Sequence, residues 1–342
     1  MQRTNTQKRK KMTRKKKRIT IVIILFAIFL IVDAGAFAHK KIEERKANSH
    51  VRGEIESNQA DKKKIDENGD EVIVRGKTNI YIIDVGLGEA IVVDHGENEV
   101  LIDGASAKAS GRVIEVLETC VDGNLEYVIN TDCKANRCGG LSAIYDQFKV
   151  ENTLYAREPA SADSDKDSQA FDEFYAKAKQ KCDVVKEIGT SNYSLGGSSM
   201  LTVLNTVDSD TDNSKKLSCA VSYGGKTLLA LGNADSERMR IIASTMGNVD
   251  ILVAGQNGGT QTINKGAFDK LDPRYFVISS NSPQDNEWKY PAADTMQILA
   301  ESSKNAYSTY RSGTIFFSFS SDGNISSSLS DNREEVITVE DY

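Results

Sequence analysis

The sequence predicts a layered α/β sandwich preceded by one transmembrane helix. Three observations carry that prediction. Short β-branched runs alternate with segments of helical spacing, and this rhythm occurs twice, so two strand-rich halves each acquire flanking helices. A 20-residue apolar stretch, 19–38, precedes both halves. Finally, 342 residues at 39% hydrophobic and 27% charged, with 25 Gly and only 4 Pro, are enough to bury a sizeable core and show no low-complexity bias.

The N-terminus divides by charge. Residues 1–18 hold ten of the 43 Lys and Arg, from Arg3 to Arg18, and no acid, so they read as a basic cytoplasmic tail. Residues 19–38 span about 30 Å as a helix, the thickness of a bilayer's hydrocarbon. The basic flank comes first, so the positive-inside rule leaves the N-terminus in the cytoplasm and exports the remainder as a single-pass membrane protein with an extracellular domain. Ala36-Phe37-Ala38 also fits a signal-peptidase site, which would release the same domain. Residues 39–78 are charged and weakly periodic, as expected of a solvated stalk. The body beyond residue 18 carries 33 basic against 49 acidic side chains, a balance that disfavours phosphate-backbone binding and hence nucleic acid as a partner.

The folded part is expected over 79–325. Strands are predicted at 80–84, 90–94 and 99–103, separated by Gly-containing turns. A helix over 111–117, a strand over 125–130, a helix from Gly140 to Phe148 and a short strand over 150–155 follow. A loop over 160–168 leads into a helix bearing Phe171, Phe174 and Ala178. The second half has strands at 200–204, 218–223, 227–231, 250–254 and 275–279. Its helices fall at 236–244, 265–271 and 292–302, and a last strand at 314–320. Residues 326–342 read as a polar tail.

Six segments then resemble, in order, the metallo-β-lactamase superfamily, most closely its ComEC-like competence-protein group. Asp84-Val85-Gly86-Leu87-Gly88-Glu89-Ala90 resembles that group's DVGQGDA turn, and Leu101-Ile102-Asp103-Gly104 its LIDGG. The run from Asn130 to Gly140 falls where the group has THxHxDHxGG. Gly232-Asn233-Ala234 resembles a GDA turn, and the run from Asp250 to Gly258 resembles DVLKVGHHG. The strand at 275–279 and Tyr290-Pro291 resemble a PKYAVIS strand and the HP that follows it. The resemblance covers 79–325 and implies an αββα sandwich.

Family members cluster two metals with the HxHxDH loop, the GDA aspartate and later histidines, because imidazole and carboxylate supply the lone pairs that a divalent cation needs. Position by position, the resemblance places Asp132 and Lys134 at the first two histidines, Asn136 at the aspartate and Arg137 at the third histidine. Asn233 replaces the GDA aspartate, Gln256 and Asn257 the paired histidines, and Tyr290 the histidine before proline. Asp103 alone is retained. Of three histidines in the chain, His39 and His50 lie in the stalk and His95 at a strand end. Lys134 and Arg137 would repel a divalent ion, so no metal cofactor is expected.

Two consequences are open at this stage. Lys134 and Arg137 can stand in for metal charge by pairing with Asp132 and Asp103, either as a neutralised remnant or as a pocket for a small anionic ligand that also uses the amides of Asn136, Asn233, Gln256 and Asn257. Cys133 and Cys138 bracket the loop and could staple it as a disulfide in an oxidising exterior, or remain buried thiols. The function expected is a non-catalytic binding or scaffold module for an unknown protein or ligand. The alternatives are a hydrolase of nuclease or phosphodiesterase type centred on Asp103 and Asp132, and a component of DNA uptake.

Overall fold

A computed structural model describes residues 76–156, 164–205, 216–282, 288–302 and 304–329, together with 64–65, 71–72 and 336–337. The expected anchor at 19–38 and the basic tail lie outside the described residues. Among the described residues no helix is long and apolar enough to cross a membrane.

Strands β1 (Lys64–Ile65) and β2 (Glu71–Val72) pair antiparallel within the segment expected to be a stalk. The sandwich starts at β3 (Lys77–Ile82), followed by β4 (Ile91–Asp94) and β5 (Glu99–Ile102), an antiparallel meander whose residues are nearly all buried. From β5 the chain turns to parallel crossovers. Helix α1 (Ser110–Cys120) leads to β6 (Leu125–Asn130); α2 (Ala135–Cys138) and α3 (Leu141–Gln147) lead to β7 (Val150–Tyr155); α4 (Asp165–Lys181) leads to β8 (Val184–Glu187). Ser164 caps α4 by accepting from the Asp167 N–H, which settles one of the donors that a helix start leaves open.

The second sheet repeats the plan. Antiparallel β9 (Ser191–Gly196), β10 (Ser199–Asn205), β11 (Leu217–Tyr223) and β12 (Lys226–Ala230) give way to parallel β13 (Ile251–Val253), β14 (Tyr275–Ile278) and β15 (Ala306–Ser308). Helices α5 (Ser236–Thr245), α6 (Lys265–Leu271) and α7 (Ala293–Ser302) make the crossovers. The chain then returns to the first sheet with β16 (Ile315–Ser320) and β17 (Ile325–Ser327), and β18 (Val336–Ile337) pairs with β15. The result is two eight-stranded sheets. Strand β17 ends inside residues 326–342, the segment expected to be a polar tail, and β18 lies within it.

Three apolar layers explain the stacking. Ile80, Ile82, Val93 and Val100 of the first sheet meet Leu201, Val203, Leu228 and Val253 of the second between the sheets. Alternate residues of the first sheet, Tyr81, Val92, Leu101 and Val128, face α1, α3 and α4 through Val113, Leu117, Ile144, Phe171 and Phe174. On the far side Leu229, Leu252 and Phe276 pack on Met239, Ile242, Phe268 and Leu299 of α5, α6 and α7. The period-2 alternation of each strand thus supplies two buried faces, and the arrangement is αββα.

Candidate functional site

In open parallel sheets the C-terminal strand ends and their loops are where side chains from separate elements converge. Here Asp103 follows β5, Thr131 and Asp132 follow β6, Gly232 and Asn233 follow β12, Gln256 and Asn257 follow β13, and Ser279 follows β14. The strand ends of both sheets therefore carry Asp103, Asp132, Asn233, Gln256 and Asn257 among the residues singled out in the sequence.

Arg137 lies at the centre of the site. It sits in the single turn of α2 and is only 1% exposed, the largest of the fully buried side chains. Its Nη1 is 2.9 Å from Asp103 Oδ2 and 3.1 Å from Glu89 Oε1, and Nη2 donates to the Gly232 carbonyl at 2.9 Å. Asp103 also accepts from the Thr131 N–H at 2.8 Å and the Thr131 hydroxyl at 2.6 Å. It adopts a left-handed backbone, φ 57°, which turns the chain sharply at the strand end. The Gly104 N–H donates to the Arg137 carbonyl at 2.6 Å, so the segments bearing acid and base are joined through backbone as well.

Burial governs the charges. It pushes the Asp103 carboxyl up to about 7 against the pull of Arg137, and the neighbouring Glu89 adds to the rise. Glu89 is likewise raised by burial, with Arg137 opposing; the guanidinium faces its Oε1 as an ion pair, and neither carboxylate oxygen meets hydrogen-bond geometry with a partner among the described residues. Burial works against the charge of Arg137, yet Glu89 and Asp103 reverse this and hold the guanidinium above its ordinary value. The centre is thus one permanent cation facing two acids whose ionisation is penalised.

The other predicted residues divide into buried and half-buried groups. Asp132 is buried: Oδ1 accepts from the Cys133 N–H at 2.7 Å, Oδ2 accepts from Asn233 Nδ2, and Asn130 Nδ2 donates to its carbonyl at 2.7 Å. Asn257 is also buried and ties the Gly88 and Ser279 carbonyls together at 2.8 and 2.7 Å. Gln256 and Asn257 both have left-handed backbones, φ 47° and 57°. Gln256 reaches the Asn233 carbonyl at 3.4 Å, and Asn136 reaches that of Leu87 at 3.4 Å. Tyr290 packs on Gly259, where an added Cβ would meet its ring carbon Cζ at 2.8 Å, and the half-exposed Trp288 stacks against it.

Three of the open alternatives meet particular contacts. Lys134 pairs with Asp167 at 3.2 Å and not with Asp132, because it sits at the N-cap of α2 with its ammonium partly in solvent, while Asp167 also accepts from the Ala135 N–H at 2.7 Å. Cys133 and Cys138 form no disulfide. The α2 turn aims the Cys138 thiol at the Cys133 carbonyl, 3.5 Å away, and both residues are buried in the apolar layer beneath the helices. Asp103, Asp132, Arg137 and Asn257 are buried and bonded to one another or to the backbone. His95 is held by Thr78 at 2.8 Å and by the edge of the Tyr223 ring. Glu89 and Thr131 were missed. Glu89 had a signal, the acidic position of the 84–90 turn; Thr131 had none, because a threonine at a strand end is ordinary.

Two carboxylates already committed to a guanidinium do not fit a divalent cation. Among the described residues no group of three or more His, Cys, Asp or Glu side chains is arranged to hold one. No family model matches the chain. A 111-residue stretch, 32% of this chain, is 28% identical to Recombination protein 2 of Haemophilus influenzae, and it spans 14% of that protein. Among solved structures, the metallo-beta-lactamase fold protein YhfI from Bacillus subtilis is similar over 74% of this chain and 99% of its own, at 10% identity and TM-score 0.46. Zn(2+)-bound PqqB from Methylobacterium extorquens is similar over 72% and 99%, at 12% identity and TM-score 0.45.

Proposed function

We propose that this chain is a single-pass membrane protein whose extracellular metallo-β-lactamase-like domain, related to the ComEC-like group, serves as a binding or scaffold module without metallo-hydrolase chemistry. The observation that carries the reading is the buried Arg137 guanidinium between Asp103 and Glu89. Metal-assisted hydrolysis needs a cation that can polarise substrate or activate water at an open coordination position. A guanidinium has no such position, and it is sealed from solvent here. The remodelled-hydrolase alternative loses its two candidates on the same grounds, because Asp103 and Asp132 spend their oxygens on protein donors.

The membrane placement rests on the apolar 19–38 run behind ten basic residues. Metal analysis of protein purified without chelators tests the reading as a whole. It is expected to find no stoichiometric zinc or manganese, together with no turnover of phosphoesters or esters; two tightly held metal ions per chain would overturn it.

The partial similarity to Recombination protein 2 supports a second reading, a role in DNA uptake. Salt-dependent binding of single- or double-stranded DNA by the extracellular domain would favour it, because phosphate contacts release counterions. The acidic body argues for weak or absent binding.

A further inference from the structure

We infer that the Arg137 guanidinium is a built-in structural cation that locks the two sheets together, and that removing it leaves a binding site for a small planar cation of the guanidinium class. The inference rests on the metal-free part of the reading above, and goes beyond it by assigning the cation a task and a specificity.

The geometry is that of a receptor. Nη1 lies between Asp103 Oδ2 at 2.9 Å and Glu89 Oε1 at 3.1 Å, and Nη2 faces the Gly232 carbonyl at 2.9 Å. Asp103 and Glu89 belong to the first sheet's loops, whereas Gly232 follows β12 of the second. One planar group therefore spans the sandwich, with separate nitrogens committed to its two sides. A planar fork with fixed donor directions matches this arrangement, and a spherical ammonium does not.

Two of the three acceptors are held independently of Arg137. Thr131 fixes both Asp103 oxygens, and the Thr131 carbonyl in turn accepts from the Leu217 N–H at 2.9 Å, a second link between the sheets. Glu89 is held through its backbone, its N–H donating to the Asn136 carbonyl and its own carbonyl accepting from the Ala105 N–H at 2.9 Å. Gly232 is held in a left-handed conformation, φ 60°, with Leu217 and Thr131 so close that a Cβ would meet the Leu217 carbonyl oxygen at 2.6 Å. Shortening Arg137 thus leaves the Asp103 carboxyl and the Gly232 carbonyl in place, facing a cavity with the shape of the lost head group.

The experiment uses the full chain in detergent as Arg137→Ala and Arg137→Met variants, with thermal unfolding followed in dilute guanidinium chloride, in urea and in sodium chloride at matched concentration. Urea is the neutral planar analogue and sodium chloride controls for ionic strength. Ligand binding to the native state raises its midpoint in a saturable way. The expected result is a lower midpoint in both variants, an upward shift of Arg137→Ala by guanidinium alone, and no upward shift of the wild type. If Arg137→Ala does not fold in the cell, refolding from urea into each solute reads the same quantity as recovered folded protein.

A variant as stable as the wild type, or equal responses to guanidinium and urea, would overturn the inference. So would an Arg137→Met variant that keeps full stability, since packing would then suffice. Metal found in the wild type would instead refute the functional reading, so the two failures are separable.

Discussion

At the residue scale, the centre is a buried ion cluster, and its energetics are asymmetric. Breaking such a cluster by removing one member strands the remaining charges, which costs about 3–5 kcal/mol. Arg137→Met is expected to lose that much in urea unfolding, and Glu89→Gln far less, because it removes a carboxyl whose ionisation burial already penalises. The pH dependence follows from the raised carboxyls. Asp103, ordinarily near 3.8, is lifted to about 7, so the native state keeps a proton that the unfolded chain releases. The stabilisation from this group is complete below the unfolded value and is lost as pH rises through the folded value. The urea midpoint should therefore fall between about pH 4 and pH 7 on account of this group, and Glu89→Gln, which removes one of the two raised acids, should flatten the fall. A midpoint independent of pH in the wild type would contradict it.

At the element scale, two substitutions separate scaffold from chemistry. Gly232→Ala places a Cβ 2.6 Å from the Leu217 carbonyl at a left-handed φ of 60°. The backbone conformation alone costs about 1–2 kcal/mol, and the clash adds to it by pushing the second sheet's loop off the guanidinium. Asp235→Ala removes the α5 cap, in which the carboxylate accepts from the Arg238 N–H at 2.9 Å, and should cost about 1 kcal/mol without disturbing the centre. Calorimetry of both variants checks the contrast.

The same scale shows what was legible in the sequence. The helices at 111–117, 236–244 and 265–271 were readable because apolar residues recur on one face; α6 matches to the residue. The strands that escaped were exposed edge strands or very short ones. β8 has two exposed ends and β9 alternates mostly polar residues, as edge strands of a sandwich do, and β15 is only three residues long. The site residues were legible as positions but not as partners. Lys134 and Arg137 look alike in sequence, and only the α2 turn decides that one faces Asp167 near solvent and the other the interior.

At the scale of the whole molecule, the two halves repeat one plan, antiparallel strands giving way to parallel ones, and the centre lies where their parallel ends meet. That placement makes the cation a fastener between halves. Chelators should leave the thermal midpoint of the wild type unchanged, whereas a domain held together by metal would lose stability in proportion to the metal removed. The most direct test is diffraction from crystals of the domain soaked in zinc, with anomalous maps recorded at the zinc edge. The expected maps show density for Arg137 within hydrogen-bonding distance of Asp103 and the Gly232 carbonyl, and no anomalous peak among Asp103, Glu89 and Asp132. A zinc peak there, with the Arg137 side chain displaced outward, would contradict the metal-free reading.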